Sequence, residues 1–234
     1  MSGALGSPRL HLRRAASTND RARLLAAAGA PHGTLVTATE QTAGRGRQGR
    51  TWSAPAGKAL LLTLVLRDPP RLLPLLAAVA VAEEAGPQAR VKWPNDVLMD
   101  GRKVAGILAE GRPQEGWAVL GIGLNVAVDP ADLPPELHES AGTLGRSEAD
   151  LEPTLARLLV GLERLLATPA GEMLEALRER DALRGQPISW AGGRGTAGGI
   201  DGEGRLVVLG PDETQTALDA GEVHLDVYLR PRRR

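Results

Sequence analysis

Apolar positions along the chain come in two rhythms, and the change between them marks out the elements. Ser17-Thr18-Asn19-Asp20 supplies helix N-cap chemistry ahead of an Ala/Leu-rich stretch that stops near Gly29 and Pro31, which predicts a first helix. Thr34 to Thr39 reads as a strand, and Leu60 to Leu66 as a buried strand. Arg71 to Ala85 is an apolar helix closed by Gly86-Pro87. A β meander follows. Val97 to Met99 and Val104 to Ala109 flank Asp100-Gly101, a strong hairpin-turn signal, and Trp117 to Val126 is the next strand. Leu151 to Ala167 and Gly171 to Leu183 return to helical periodicity. After Gly185 the pattern shortens into Ile188 to Trp190, Gly195 to Ile200, Arg205 to Leu209, Thr214 to Leu218 and Val223 to Leu229, separated by Gly and Asp turns. Short, evenly spaced strands of this kind predict a small SH3-like β barrel. The expectation is an α+β domain over 1–184, with a mixed sheet and flanking helices, and a β domain over 185–234.

Composition narrows the chemistry. Lys+Arg and Asp+Glu are both 28, so formal net charge is zero, whereas proteins that mainly grip nucleic acid carry a basic excess. With no Cys there is no disulfide, no thiolate metal site and no Cys nucleophile. The four His lie far apart, without metal-ligand spacing. Phe is absent and Tyr occurs once, so Trp52, Trp93, Trp117 and Trp190 stand out. The N-terminus lacks the apolar core of a secretory signal, and the longest apolar run, Ala59 to Leu66, is too short to span a membrane. A soluble cytoplasmic protein is expected.

Gly44-Arg45-Gly46-Arg47-Gln48-Gly49 fits the GxGxxG dinucleotide fingerprint and, extended to Arg50-Thr51, nearly fits a P-loop. Both motifs need a helix to start at the loop and aim its free N–H groups at phosphate. Here Pro55 and Gly57 follow, then an apolar strand, so neither motif has its context. What remains is three guanidiniums on a flexible backbone with no acid in the loop. Such a cluster suits phosphate or carboxylate, and predicts a lid over 42–51 that orders only around an anion.

Three more segments carry polar groups at strand ends: Val91-Lys92-Trp93-Pro94-Asn95-Asp96-Val97, Arg102-Lys103-Val104-Ala105-Gly106-Ile107-Leu108, and Gly121-Ile122-Gly123-Leu124-Asn125-Val126. Together with Ser17-Thr18-Asn19, and with Gln41 ahead of GRGRQGRTW, they resemble the biotin protein ligases. The motifs stand in that family's order, and the likeness runs from about residue 15 to the C-terminus. It implies a class II synthetase-like catalytic domain and a two-step reaction. Biotin and MgATP give biotinyl-5′-AMP and pyrophosphate, and a lysine of a biotin carboxyl carrier protein then displaces AMP.

The same resemblance implies the roles. Ser17, Thr18, Asn19 and Gln41 bind biotin's ureido head, with an N-cap role for Thr18 equally open. Gly44, Arg45, Gly46 and Arg47 close over the intermediate, Arg45 and Arg47 meeting its carboxyl and phosphate oxygens. Lys103 is the charge beside the reacting carboxylate. Arg50 and Trp52 lie on the nucleotide side, and Lys92, Asn95 and Asn125 serve ATP and Mg²⁺, which is carried on the phosphates rather than in a protein metal site. Asp96 orients Lys92 or the metal, or is a turn residue. Gly106 and Gly123 are places where a Cβ would obstruct ligand. Fewer than twenty residues precede Ser17, so a short form without a DNA-binding domain, and no specific DNA binding, is expected. The Arg-rich tail, 230–234, reads as disordered, and the sequence leaves homodimerisation open. Two rivals stand: a lipoate-type ligase on the same fold, and a nucleic-acid-binding module built on the Arg loop and terminal barrel.

Overall fold

The computed structural model describes residues 5–211, 214–219, 221 and 223–225. In chain order the elements are β1 (Arg9–Ala15), α1 (Thr18–Ala27), β2 (Leu35–Gln41), β3 (Ala59–Arg67), α2 (Leu73–Ala85), β4 (Arg90–Lys92), β5 (Asp96–Met99), β6 (Arg102–Arg112), β7 (Trp117–Asn125), α3 (Leu151–Ala167), α4 (Ala170–Glu179), β8 (Pro187–Trp190), β9 (Gly193–Ile200), β10 (Leu206–Leu209), β11 (Gln215–Leu218) and β12 (His224–Leu225). The first seven strands form one mixed sheet in the order β1-β2-β3-β7-β6-β5-β4. Only β1 and β2 run parallel, and the other neighbours are antiparallel.

The apolar run of β3 is explained by burial on both faces. Leu60, Leu62, Leu64 and Leu66 join the main core with α2 and α3. On the other face Val65 packs with Val36, Trp117, Val119 and the α1 residues Ala22 and Ala26. Helix α2 is buried almost all round, from Leu75 through Ala82, as an apolar helix without a polar stripe must be. Helix α3 instead buries one stripe, Leu155, Leu158, Leu162 and Leu165. Asp100 and Gly101 take φ of 51° and 76°, the two positive values that a tight primed hairpin turn requires.

Between α2 and α3 sits Glu84, whose side chain is only 8% exposed. Arg146 Nη1 approaches its carboxylate at 2.5 Å and Arg157 Nη2 at 2.9 Å, while Arg146 also donates to the Glu84 carbonyl and to Thr154. Removing the carboxylate strands two guanidiniums at a covered junction, so Glu84→Ala should destabilise by about 2–4 kcal/mol, toward the low end because Arg157 is half exposed. Urea denaturation of the variant checks this, and a loss below about 1 kcal/mol, the value of a surface pair, would show the network to be superficial.

The last five strands form an antiparallel sheet in the order β11-β10-β9-β8-β12. This is the expected small β domain; among the described residues its end strands β11 and β12 are not paired with each other, so those residues close no barrel. Of the strand expected at Val223 to Leu229, only His224–Leu225 lies among the described strand residues, and the tail at 230–234 lies outside them. Ile188, Ala197, Leu206 and Val208 belong to the main core, and Trp93 Nε1 donates to the Gly204 carbonyl at 3.1 Å. The terminal sheet thus packs on α4 through β9, where Arg178 Nε donates to the Ile200 carbonyl, and its Gly204 turn meets Leu75 of α2 and the β4–β5 corner. The second C-terminal helix is shorter than its periodicity predicts: it ends at Glu179, and Asp181 instead bridges to Val91 beside β4. No helix among the described residues is long and apolar enough to cross a membrane.

Candidate functional site

One face of the central strands is shared between a helix and a cleft. Thr63 on β3, Gly121 on β7 and Leu108 on β6 lie side by side in register, and Ala59, Asn125, Gly123 and Gly106 continue the same face toward the β3 start. Helix α1 covers the Val65–Val119 end through Ala22 and Ala26. Beyond its first turn α1 no longer covers the face, and there, before Trp52, Val128 and Leu133 close over Ala59 and Leu61, a cleft of about 520 Å³ opens. Ser17, Thr18, Asn19, Gln41, Arg45, Gly46, Arg47, Arg50, Trp52, Lys92, Asn95, Lys103, Gly106 and Asn125 all line it, so the structure gathers nearly the whole set expected from sequence. Gly44 is the exception. It faces a second cavity of about 770 Å³ on the other side of the glycine loop, and a Cβ there would lie 2.9 Å from Gln41 Nε2.

At the α1 end the polar groups interlock. Gln41 Oε1 accepts from the Thr18 amide at 2.7 Å and from its hydroxyl at 3.0 Å. Thr63 Oγ1 lies 2.8 Å from Thr18 Oγ1 and 2.7 Å from Asn19 Oδ1, and its one proton serves one of them at a time. Asn19 Nδ2 donates to the Leu108 carbonyl at 3.3 Å and to Glu110 Oε2 at 2.9 Å. Thr18 is therefore not the helix cap. Ser17 holds that position and makes no side-chain capping bond, while the Thr18 hydroxyl is turned into the cleft wall. Thr63 and Glu110 are not singled out from sequence, and Gly121 is quoted there only within the Gly121–Val126 segment. The only signal for Thr63 is its place as the one hydroxyl in Ala59–Arg67.

The glycine loop is a short hairpin. Arg45 bridges to Thr51, Gly46 N–H donates to the Arg50 carbonyl at 2.7 Å, and Trp52 N–H donates to the Gly44 carbonyl at 3.0 Å. Arg47 to Gly49 make a single 3-10 turn with Gln48 at φ 55°, not the long helix that either phosphate-loop motif requires. Its arginines also find partners that the local sequence lacks. Arg45 Nη2 lies 3.0 Å from Asp20 Oδ1 of α1, and its Nη1 lies 3.9 Å from Glu110 Oε1 of β6. Arg47 Nη1 donates to Asn95 Oδ1 at 2.9 Å, and Asn95 Nδ2 donates to the Ile107 carbonyl at 3.0 Å. The expectation of a loop without acidic neighbours is corrected: the acids come from other elements, and the loop is pinned on both sides.

Toward the other end, Lys103 Nζ pairs with Asp96 Oδ1 at 2.7 Å and stands 5.7 Å from the Trp52 ring centroid. Asp96 thus orients Lys103, one strand over, although its backbone partner in the β4–β5 ladder is Lys92. The indole lies on Gly106 and Gly123, which face each other across β6 and β7. These glycines make room for Trp52. A Cβ on Gly123 would stand 2.7 Å from Nε1 and 2.8 Å from Cζ2, and one on Gly106 would stand 3.0 Å from Cζ3. Among the described residues, three buried polar atoms here have no hydrogen-bond partner: Asp96 Oδ1, which faces the Lys103 ammonium as an ion pair instead, Trp52 Nε1, a donor, and Asn125 Oδ1, an acceptor. Asn125 is 3% exposed, and its Nδ2 is fixed on the Gly142 carbonyl at 2.9 Å, so Oδ1 is the atom presented. Buried polar atoms without partners are rare, and the indole nitrogen and carboxamide oxygen, which lack an ionic partner as well, point to a bound group that satisfies them. The terminal sheet closes this end with Val223, His224 and Leu225.

Comparison with known proteins agrees with this geometry. The profile of the Biotin/lipoate A/B protein ligase family matches residues 12–127, a span that holds every site residue from Ser17 to Asn125. The chain is 43% identical over 146 residues to the bifunctional ligase/repressor BirA of Bacillus subtilis, a match covering 57% of this chain and 45% of that protein's length. It is 37% identical over 241 residues to the biotin–[acetyl-CoA-carboxylase] ligase of Paracoccus denitrificans, covering 91% of this chain and 98% of that one. Its fold superposes on the biotin protein ligase of Aquifex aeolicus in complex with biotin and ATP with a TM-score of 0.80 at 25% identity, over 94% of this chain and 98% of that one. The chain belongs to the Biotin/lipoate A/B protein ligase family, among its biotin protein ligases.

Proposed function

We propose that the chain activates biotin with ATP and passes the biotinyl group to a lysine of a biotin carboxyl carrier domain of the acetyl-CoA carboxylase type. The observation that carries this reading is the cleft itself. It offers interlocked amide and hydroxyl groups at one end, a cationic middle at Lys103 and Arg47, and at the other end an indole beside an unsatisfied carboxamide oxygen.

A ureido ring has N–H donors and a carbonyl acceptor, and suits the Ser17–Thr18–Asn19–Gln41 end. The valeryl chain then runs from Gly121, past the edge of the Trp52 indole, toward Lys103. A carboxylate oxygen attacks the α-phosphorus of ATP, the bond to the β-phosphate oxygen breaks, and pyrophosphate leaves with its electron pair. Lys103 lies where charge builds on the carboxyl and phosphoryl oxygens, and Arg47, steadied by Asn95, holds the phosphate. In the second step the unprotonated acceptor amine attacks the acyl carbon, the bond to the phosphate oxygen breaks, and AMP departs. No side chain forms a covalent bond, in keeping with a chain that has no Cys. The residues fit Mg²⁺ only through the nucleotide. Asn125 Oδ1 is an acceptor, so it suits a cation or an amino group and not a bare phosphate oxygen. The metal would neutralise the leaving pyrophosphate. In this reading residues 1–184 carry both substrates, and the β domain from 185 contributes the Val223–Leu225 wall.

Lipoate ligation is the rival on the same fold. Lipoate's dithiolane has no N–H or carbonyl to pair with the Thr18–Asn19–Gln41 group, and sites built for hydrogen bonds reject ligands that lack them by roughly 10⁴-fold or more. Exchange of labelled pyrophosphate into ATP should therefore depend on biotin and not on lipoate. Exchange with lipoate alone would overturn the assignment.

A further inference from the structure

Glu110, near the C-terminal end of β6, joins the two halves of the site. Its Oε2 accepts from Asn19 Nδ2 at 2.9 Å, while Oε1 faces two guanidiniums, Arg23 at 3.5 Å and Arg45 at 3.9 Å. Asp20 completes the ring, 3.0 Å from Arg45 and 4.0 Å from Arg23. One carboxylate therefore holds a first-turn residue of α1 with one oxygen and faces the glycine loop with the other. Resting on the biotin-ligase reading, we propose that Glu110 is a positioning residue that fixes Asn19 for the ureido head and pins Arg45, so that the loop stays closed over the acyl-adenylate.

Charge and geometry separate its two tasks. Asn19 has its Oδ1 on Thr63 and its Nδ2 on Glu110 and Leu108, so a lost Glu110 leaves Nδ2 with the longer bond to one main-chain carbonyl alone. The Arg45 side of the cluster is partly exposed and longer, the regime in which ion pairs are individually weak. The Asn19 bond is a charge-assisted one to a buried amide, and it governs how well biotin's head is met.

The conservative variant separates them. Glu110→Gln keeps an acceptor for Asn19 but loses the charge facing Arg45, and Glu110→Ala loses both. With the full chain, biotin affinity is read by calorimetry, and retention of biotinyl-AMP by the fraction that passes a filter after one turnover. Glu110→Gln should bind biotin within about threefold of wild type yet release the adenylate roughly two- to fivefold faster, the scale of an exposed ion pair. Glu110→Ala should do the same and also weaken biotin binding about tenfold or more, with thermal melting as a check of folding. Unchanged biotin affinity in Glu110→Ala, or wild-type retention in Glu110→Gln, overturns the proposal. A drop in melting temperature without either change also overturns it, because the residue is then merely structural. Wild-type protein that binds no biotin removes the functional reading itself, a result distinct from all of these.

Discussion

Lys103→Ala is expected to slow formation of the adenylate by roughly a hundred- to a thousandfold, the loss of about 3–4 kcal/mol that follows removal of a preorganised charge facing a developing anion. The surroundings of Lys103 suit that proposed task. Asp96 on the adjacent strand holds Nζ at 2.7 Å, and the indole of Trp52 stands on its other side at 5.7 Å. The absence of a side chain at Gly106 leaves room for the stem, since a Cβ there would lie 3.3 Å from Lys103 Cε. A cation steered from three directions costs little reorganisation when charge appears, which is where its advantage over a mobile surface lysine lies. Lys103→Arg should recover only part of the rate, because a planar fork cannot occupy the place of a compact ammonium between Asp96 and the ring. Single-turnover assays with saturating biotin and ATP measure the step directly. A wild-type single-turnover rate in the folded alanine variant would remove Lys103 from the chemistry.

Elements set by local rules were legible in the sequence, and contacts set by the fold were not. The Asp100-Gly101 turn, the doubly buried β3 and the all-apolar α2 each follow from residues a few positions apart, and each is found. Strand β1 was missed because it is an edge strand reading Arg-Leu-His-Leu-Arg-Arg-Ala, with basic residues at exposed positions and only β2 to pair with. The three-residue β4 carries too little pattern to register. Within the site, the four motifs identified the cleft, but the roles of Arg45 and Thr18 depended on partners remote in the chain. Asn19 and Glu110 are 91 positions apart, and Arg45 meets acids of α1 and β6 that the loop's own composition denies it. Thr18 looked like a cap because Ser, Thr, Asn and Asp stand together at the helix start. Tertiary structure gave the cap position to Ser17 and the Thr18 hydroxyl to Gln41.

The two glycines of the Gly121–Gly123 strip should respond to the same methyl group in opposite ways. Neither has a positive φ, so only space decides. A Cβ on Gly121 would overlap Asn19 Oδ1 and stand 2.9 Å from its Cγ. Asn19 cannot retreat: it is buried in the first turn of α1, held by Thr63 on one side and by Leu108 and Glu110 on the other. Gly121→Ala must therefore move the helix start or break the amide's bonds, at a cost of about 2–4 kcal/mol from overpacking and an unpaired buried polar group. Biotin binding should weaken more than tenfold, since the displaced residue is the one proposed to meet the ureido head. A Cβ on Gly123 would instead strike the Trp52 ring, 2.7 Å from Nε1. That ring is half-buried, stands beside the loop and has no hydrogen bond on its nitrogen among the described residues, so it is held by packing alone and yields more readily than Asn19. Gly123→Ala should cost less than about 1 kcal/mol of stability, near the range of substitutions whose neighbours can yield. Its effect should fall on the nucleotide, with KM for ATP rising about tenfold, the equivalent of roughly 1.4 kcal/mol, and biotin affinity held within about threefold. Urea denaturation and calorimetric titration of both variants make the comparison. Equal stability losses would mean that Trp52 is as firmly fixed as Asn19, and a biotin defect in Gly123→Ala as large as that in Gly121→Ala would place the ureido head, not the nucleotide, against the indole.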